Sequence, residues 1–245
     1  MSTMAPSLIT SPVVNHHNFS QIPNHHGLSE TLRRKPILCT FVGTDISVTT
    51  TVPNIDIHSL STLPATKAWL SANLLPFLLE IVVRHLAVRN EVLATSDKTL
   101  ISHILPTMKS LHHALTISNL TTIQVSTPHS LRILSTSNPP STVVFCHSND
   151  KAIFAPILNF HHKTKSPFIV NPYPFFGFSP TRPESLTYAL LKPNGGVLDP
   201  LTCFNYTNMF DAQRDAVFSA MKRLCYVDVE LVVVETGEPF TNDLN

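Results

Sequence analysis

From Leu28 onward, the order of apolar and polar positions predicts helices that alternate with strands. Short runs rich in β-branched residues predict the strands Ile46–Val52, His85–Val88, Thr122–Ser126, Phe168–Asn171 and Val227–Val234. Apolar residues spaced three and four apart predict the helices Ser29–Thr40, Leu60–Phe77, Phe154–His162, Thr207–Leu224 and a long one capped by Ser96 and Asp97 that reaches Leu115. The segment between NPYPFFGF and the last helix is predicted to be irregular. Such alternation is typical of a parallel sheet, with functional groups at the carboxyl ends of the strands.

Two of the predicted strands are followed by a carboxylate. Glu235 comes directly after the apolar run LVVV, and Glu91 follows Val88 within three residues. In a parallel barrel all carboxyl ends open on one face, so these two side chains can converge although they are distant in sequence. Glycoside cleavage needs one protonated and one ionised carboxyl group. A single glutamate at a strand end more often caps the strand or pairs with a cation, and the pair alone leaves both interpretations open.

Composition excludes several classes of protein. The 245 residues are 43% hydrophobic, as in a globular protein, and the formal net charge is +1 without a dense Lys/Arg cluster. A nucleic-acid or anionic-membrane partner is therefore not expected. No apolar run reaches the length of a membrane span, and the first residues lack the basic region of a signal peptide. Taken alone, the sequence is typical of a soluble cytosolic protein.

Cysteine and histidine spacing gives no metal site. Four cysteines, Cys39, Cys146, Cys203 and Cys225, have no CxxC spacing and are expected to be unpaired. Residues 1–27 are polar and rich in His and Pro and are expected to form a disordered arm, which leaves residues 28–245 as the folded domain. The paired histidines of this arm, His16, His17, His25 and His26, are more often incidental than ligands. His112 and His113 are adjacent on a helix and cannot face one ligand, so we expect them on a solvated face.

Five motifs carry a resemblance to a known family. VRNEVLATSD, QVSTPHSL, SPFIVNPYPFF, YTNMFDAQRDAV and VVVETGEP occur in this order, and together they resemble the plant endo-1,3-β-glucosidases of glycoside hydrolase family 17. The resemblance extends from about Cys39 to Pro239. It implies a (β/α)₈ TIM barrel and a secreted retaining enzyme that hydrolyses internal β-1,3 bonds of β-glucan without a cofactor.

The resemblance also implies roles for individual residues. Glu91 in RNE matches the acid/base of the GNE motif, and Glu235 in ETGEP matches the nucleophile of the ETGWP motif. Asn90 matches a hydrogen-bonding partner of the sugar, whose contact with the 2-OH would strengthen in the transition state. Asn171, Tyr173 and Phe176 match substrate-binding positions in the cleft, whereas Phe175 and Phe178 are interpreted as ordinary core.

Departures from the family pattern weaken the expected activity. The motifs of the first two strands are missing and the chain stops soon after Glu235, so we expect truncation at both ends and a partial barrel holding the third to seventh of eight strands. Arg89 replaces the glycine of GNE. If the strand alternation continues, Arg89 points the same way as Glu91 from a buried position and favours its ionised form, which opposes proton donation. Glu238 replaces the tryptophan of ETGWP and brings a second negative charge near Glu235.

Three interpretations stay open from the sequence. The first is a weak or inactive β-1,3-glucan hydrolase that uses Glu91 and Glu235. The second is a non-catalytic remnant that binds glucan through Tyr173 and Phe176. The third, a metal-dependent hydrolase that uses the histidines, would be sensitive to chelators. The sequence does not predict an oligomeric state. It does not predict a location either, because the family is secreted whereas this sequence shows no signal peptide.

Overall fold

The computed structural model describes residues 41–44, 46–53, 57–95, 97–146, 150–182 and 184–237. The described residues form two compact units. The N-terminal unit contains the described residues up to Val92 together with residues 97–128, and the C-terminal unit contains Leu93–Thr95 and the described residues from His129 onward. The predicted arm 1–27, the predicted helix Ser29–Thr40, Cys39 and Glu238 all lie outside the described residues.

A three-stranded parallel sheet forms the centre of the N-terminal unit. Its strands are β1 (Ser47–Val52), β2 (Val82–Val88) and β3 (Gln124–Ser126), in the order β1-β2-β3. Val52 pairs with Val88, and His85 pairs with Gln124. The predicted β-branched runs therefore form strands, and most of their apolar side chains are buried, whereas Ile46, just before β1, and Val82, at the start of β2, are exposed.

Two α-helices accompany this sheet. Helix α1 (Leu63–Asn73) is shorter than predicted because Pro64 lies in its first turn and Pro76, which has no amide hydrogen, lies beyond its end. Helix α2 (Lys98–Ile117) begins at Asp97, whose side chain accepts hydrogen bonds from the amides of Thr99 at 2.9 Å and Leu100 at 3.1 Å. This confirms Asp97 as the cap, whereas Ser96 lies outside the described residues. His113 is exposed on α2 as predicted, and His112 is half-buried.

A second sheet has the strand order β4-β5-β8. Its strands are β4 (Pro128–Ser130), β5 (Phe168–Asn171) and β8 (Leu231–Val233), and β5 pairs with β8 in parallel, with Phe168 opposite Leu231. Phe145, Phe154 and Phe168 are fully buried, and the rings of Phe145 and Phe154 stack at 4.1 Å. Helices α3 (Ala155–Thr164) and α5 (Met209–Arg223) complete the predicted set, and Asn208 caps α5 by accepting from the amide of Asp211 at 2.8 Å.

Three strand predictions require correction. The five predicted strands belong to two sheets, because β3 ends at Ser126 and Pro128, which lacks an amide hydrogen, starts β4 in the second sheet. The last strand is shorter than Val227–Val234, because Val227 and Asp228 are exposed before Leu231. The segment predicted as irregular contains helix α4 (Glu184–Ala189) and an antiparallel hairpin of β6 (Val197–Asp199) and β7 (Phe204–Tyr206). These three elements show no apolar period in the sequence, so the pattern did not predict them.

The hairpin is attached to the rest of the C-terminal unit through Asp199. This buried carboxylate accepts hydrogen bonds from the Ser141 amide at 2.8 Å and the Ser141 hydroxyl at 2.7 Å, and from the Leu201 amide at 3.0 Å. Ser141 lies in a short 3-10 turn, Pro140–Thr142. We call this set of contacts the Asp199 clamp.

Neither a spanning helix nor a disulfide occurs within the described ranges. No helix there is both long and apolar enough to cross a membrane. Cys146, Cys203 and Cys225 have free thiols, as predicted from their spacing.

Candidate active site

Glu235 lies at the carboxyl end of the second sheet, two residues after β8, and is half-buried. The hydroxyl of Tyr173 donates a hydrogen bond to its Oε2 atom at 3.0 Å. Tyr173 follows β5 by two residues, and β5 and β8 run parallel with Val170 opposite Val233. The carboxyl ends of adjacent parallel strands lie side by side, which is why residues so distant in sequence meet here. The hydrogen bond fixes the orientation of the Glu235 carboxyl group.

An exposed aromatic ring packs near Tyr173, the hydrogen-bond donor to this carboxylate. Phe176 belongs to the 3-10 turn Pro174–Gly177, is 73% exposed, and its ring centroid is 5.6 Å from that of Tyr173. Phe175 and Phe178 are both half-buried, and their ring centroids are 6.5 Å apart. An exposed ring next to a carboxylate is suited to pack against the apolar face of a sugar.

Asn171, the last residue of β5, is fully buried. It therefore lies at the same sheet end as Tyr173, but its side chain is inside the unit rather than on an open surface.

A pocket of about 400 Å³ lies within the C-terminal unit, and the two residues after Glu235 belong to its lining. Its walls come from the segment after Tyr173, from the end of α4 with the residues that follow it, from α5, and from the two residues after Glu235. The lining residues are Pro174, Phe175, Ala189, Leu190, Leu191, Phe210, Thr236 and Gly237. The sequence interpretation missed Leu190, Leu191 and Phe210, because α4 had no detectable period and Phe210 was assigned only to the packing face of a helix.

Glu91 lies at the carboxyl end of the first sheet, three residues after β2, and both Glu91 and Asn90 are half-buried. The Glu91 amide donates to the Pro128 carbonyl at 3.0 Å, which fixes the backbone of Glu91 next to the chain that leaves β3. Arg89 and Glu91 have φ values of 64° and 51°, in the left-handed region. The extended alternation therefore ends at Val88, and the expectation that it places Arg89 and Glu91 on one side is wrong, because it assumed extended backbone.

Arg89 is 5% exposed, which confirms the expectation of a buried guanidinium. Burial lowers the pKa of Arg89, and the Asp97 carboxylate acts in the opposite direction. The left-handed backbone at Arg89 is a conformation that glycine adopts without cost and that other residues adopt with strain. The geometry thus explains why a glycine suits this position in the GNE motif.

Metal ligation has little support from the residues that the structure describes. Among them, no group of three or more His, Cys, Asp and Glu side chains is arranged to hold a metal ion. The histidine pairs His16–His17 and His25–His26 lie outside the described residues.

Comparison with known proteins gives one family. Residues 29–243 match the family described as glycosyl hydrolases family 17. A glucan endo-1,3-beta-glucosidase of Triticum aestivum is 44% identical over 204 residues, which are 81% of this chain and 44% of that protein. Glucan endo-1,3-beta-glucosidase 7 of Arabidopsis thaliana is 40% identical over 212 residues, which are 85% of this chain and 42% of that protein.

A solved structure is similar along most of the chain. It is that of CJP38, a beta-1,3-glucanase and allergen of Cryptomeria japonica pollen, with a TM-score of 0.78 and 34% identity, and the match covers 84% of this chain and 64% of that one. The chain spans about half the length of the curated relatives that it matches.

Proposed function

Because the chain belongs to glycosyl hydrolase family 17, we propose that it hydrolyses internal β-1,3-glucosidic bonds of β-glucan, without a cofactor and with retention of configuration. The observation that carries this proposal is the Glu235 carboxylate, oriented by the Tyr173 hydroxyl at 3.0 Å beside the exposed ring of Phe176. A fixed carboxylate next to an exposed aromatic ring is the combination that a glycosidase needs for attack and for sugar binding.

The proposed reaction has two steps. Glu235 attacks the anomeric carbon and forms a glycosyl-enzyme, while Glu91 protonates the leaving oxygen. Glu91 then removes a proton from water, which releases the sugar and restores Glu235. This mechanism requires the two carboxyl groups to be about 5–5.5 Å apart. Asn90 is proposed to bind the sugar 2-OH. Asn171, Tyr173 and Phe176 are proposed to bind the glucan.

We also propose that the chain forms part of a (β/α)₈ barrel and that its activity is weak. We assign β1, β2, β3, β5 and β8 to the third to seventh strands of a (β/α)₈ barrel. Activity is proposed to be weak, because Arg89 occupies a buried, left-handed position next to Asn90 and Glu91. Glu238, the other departure from the family pattern, lies outside the described residues.

The direct test is the release of reducing sugar from linear β-1,3-glucan by the purified chain. We expect turnover by the wild type and a loss of at least about a hundredfold in both Glu235→Gln and Glu91→Gln. Glu230→Gln, the same change five residues before Glu235, is the matched control and is expected to keep wild-type turnover. Wild-type turnover that survives Glu235→Gln would exclude the proposed nucleophile.

A second candidate is a glucan-binding protein without turnover, and the buried guanidinium of Arg89 favours it. It predicts that the folded chain is retarded by β-1,3-glucan in affinity electrophoresis but releases no sugar. Phe176→Ala is expected to abolish the retardation, because it removes the exposed ring. Turnover by the wild type would reject this candidate.

A further inference from the structure

Two histidine rings of the N-terminal unit lie side by side. His58 immediately precedes the short 3-10 turn Ser59–Ser61, and His103 lies in the second turn of α2. Their ring centroids are 4.6 Å apart, and the ring planes are inclined by 33°. His58 is exposed and His103 is half-buried, so solvent and dissolved ions can reach the pair.

A buried hydrogen bond holds the backbone beneath the two rings. The Thr107 hydroxyl donates to the Ile57 carbonyl at 2.9 Å, and both residues are fully buried. Thr107 lies one helical turn after His103, on the same face of α2, and Ile57 directly precedes His58. The proximity of the two histidines therefore depends on a contact in the core and not on two freely moving surface side chains.

The hydrogen bond of His103 determines which of its ring nitrogens carries the proton. Its Nδ1 atom is 2.6 Å from the carbonyl oxygen of Thr99. A carbonyl oxygen only accepts, so Nδ1 donates, and in the neutral ring the lone pair is on Nε2. Histidines that bind metals commonly donate their other ring N–H to a backbone carbonyl in the same way. The His58 ring forms no hydrogen bond with any residue that the structure describes, which leaves a nitrogen lone pair on that ring as well.

We propose that His58 and His103 bind one divalent first-row transition ion, such as Zn²⁺ or Cu²⁺, with water at the remaining coordination positions. Imidazole nitrogen suits these ions, whereas Mg²⁺ and Ca²⁺ prefer oxygen ligands. Metal–nitrogen bonds of about 2.0–2.1 Å, at an angle of about 90–105°, place two ring centroids about 4.5–5 Å apart. The observed 4.6 Å meets this requirement without a shift of the backbone.

Two protein ligands make an open site from which the ion exchanges, unlike a closed structural site with four. Such a site agrees with the finding that no group of three or more ligands occurs among the described residues. The proposal concerns binding, and it is independent of the proposed hydrolysis of β-glucan.

A ¹H–¹⁵N titration of the whole chain with Cu²⁺ tests the position of the site, because this paramagnetic ion broadens the signals of nearby amides. At an equimolar amount of Cu²⁺ we expect the amides of Ser59 and Ser102 to lose most of their intensity. The amide of Ile117, about 21 Å farther along α2, should keep its intensity. Other histidines can compete for copper, so the titration uses a background in which four positions carry asparagine: His16, His17, His25 and His26.

His58→Gln and His103→Gln, made in this background, each remove one ligand. We expect the affinity for Zn²⁺, measured by isothermal titration calorimetry, to fall at least about tenfold in each variant, because the remaining imidazole binds alone. His113→Gln removes an exposed histidine of the same helix and should keep the background affinity. Circular dichroism verifies that all three variants are folded.

Unchanged intensities of the Ser59 and Ser102 amides at equimolar Cu²⁺ would overturn the proposal. Background affinity for Zn²⁺ in either His58→Gln or His103→Gln would also overturn it, because the two rings would then not share the ion. Titration with Mg²⁺ should give no binding. A Mg²⁺ affinity equal to that for Zn²⁺ would exclude imidazole as the ligand.

Discussion

The hydroxyl of Tyr173 donates a hydrogen bond to the Glu235 carboxylate at 3.0 Å. Tyr173→Phe removes this donor and keeps the ring. Hydrogen bonds to charged groups contribute about 1.5–3 kcal/mol, so we expect kcat on β-1,3-glucan to fall by about tenfold to a hundredfold. KM should change little, because the ring that we propose to contact the sugar is retained. The measurement is steady-state kinetics of sugar release.

Tyr226→Phe is the control for that variant, because Tyr226 is also half-buried and the same atom is removed. Its kcat should equal that of the wild type. An unchanged kcat in Tyr173→Phe would show that the hydrogen bond does not contribute to the reaction.

Arg89 combines a left-handed backbone with a buried charge, and two substitutions separate these effects. Arg89→Gly removes both, whereas Arg89→Ala removes the charge and keeps the strain. We expect the free energy of unfolding of the glycine variant to exceed that of the alanine variant by about 1 kcal/mol. Urea unfolding followed by circular dichroism measures both values. An alanine variant as stable as the glycine variant would show that the backbone at this position carries no strain.

The roles of individual residues were only partly predictable from sequence. The motifs assigned Tyr173 to the cleft as a ring, but its hydroxyl contact depends on the pairing of β5 with β8, which brings together residues 62 apart. The left-handed backbone at Arg89 was not predicted either. The apolar strand pattern continues to Val88, and no residue type after it indicates where the extended backbone ends.

At the level of elements, length alone did not decide which elements the sequence predicted, because the four-residue strand β5 was predicted with its observed bounds. Helix α2, with 20 residues, an apolar face and an Asp97 cap, was predicted closely, as was the six-residue strand β1. Helix α4 and the β6–β7 hairpin were missed, and a tertiary contact rather than a periodic pattern holds the hairpin in place. That contact is the Asp199 clamp, whose donors come from a turn 58 residues earlier and from the hairpin itself.

Asp199→Asn tests the contribution of the clamp. Every partner of the Asp199 carboxylate donates, so an amide NH₂ in its place would face another donor. We expect a loss of about 2–3 kcal/mol in the free energy of unfolding at pH 7. Asp228→Asn, at an exposed carboxylate that contacts His162 and Lys165, should lose clearly less. Equal losses in the two variants would contradict a special role for the clamp.

The same contacts give the clamp a pH dependence. Burial acts to raise the pKa of Asp199, but the hydrogen bonds from Ser141, Leu201 and Thr202 outweigh it and hold the pKa below its usual value. A carboxyl group with a lowered pKa in the folded state stabilises the fold above its unfolded pKa, near 4, and the stabilisation is lost as the pH falls further. The difference in stability between wild type and Asp199→Asn should therefore narrow below pH 4.

For the molecule as a whole, the buried histidines determine the response to acid. Among the described residues three histidines are buried: His85 in the N-terminal unit, and His129 and His161 in the C-terminal unit. Burial lowers the pKa of His85 to about 4, with a contribution from Arg84, and lowers the pKa of His129 to about 3. Burial, together with the proximity of His129, lowers the pKa of His161 to about 3. Each ring is therefore neutral in the folded protein at any pH above 5.

The sign of the effect follows from the unfolded state, in which a histidine titrates near pH 6.5. Below that pH the unfolded chain takes up protons that the folded chain does not, so the free energy of unfolding decreases until the folded pKa values are reached. Each histidine contributes a loss of about 2 kcal/mol at pH 5 relative to pH 8. Three such residues can remove much of the stability of a typical domain, which is about 5–15 kcal/mol. We therefore expect the free energy of unfolding, measured by urea titrations at a series of pH values, to fall as the pH is lowered from 6.5 to 4.

His129→Leu isolates one of these contributions. His129 stacks on Phe168 at 4.7 Å, and neither of its ring nitrogens has a hydrogen-bond partner among the described residues, so leucine replaces it without leaving a polar group unpaired. The pH dependence of the unfolding free energy should become shallower by about one proton equivalent between pH 6 and 4. A slope in His129→Leu equal to that of the wild type would mean that the pKa of His129 is the same in the folded and unfolded states. The acid sensitivity would then have another origin.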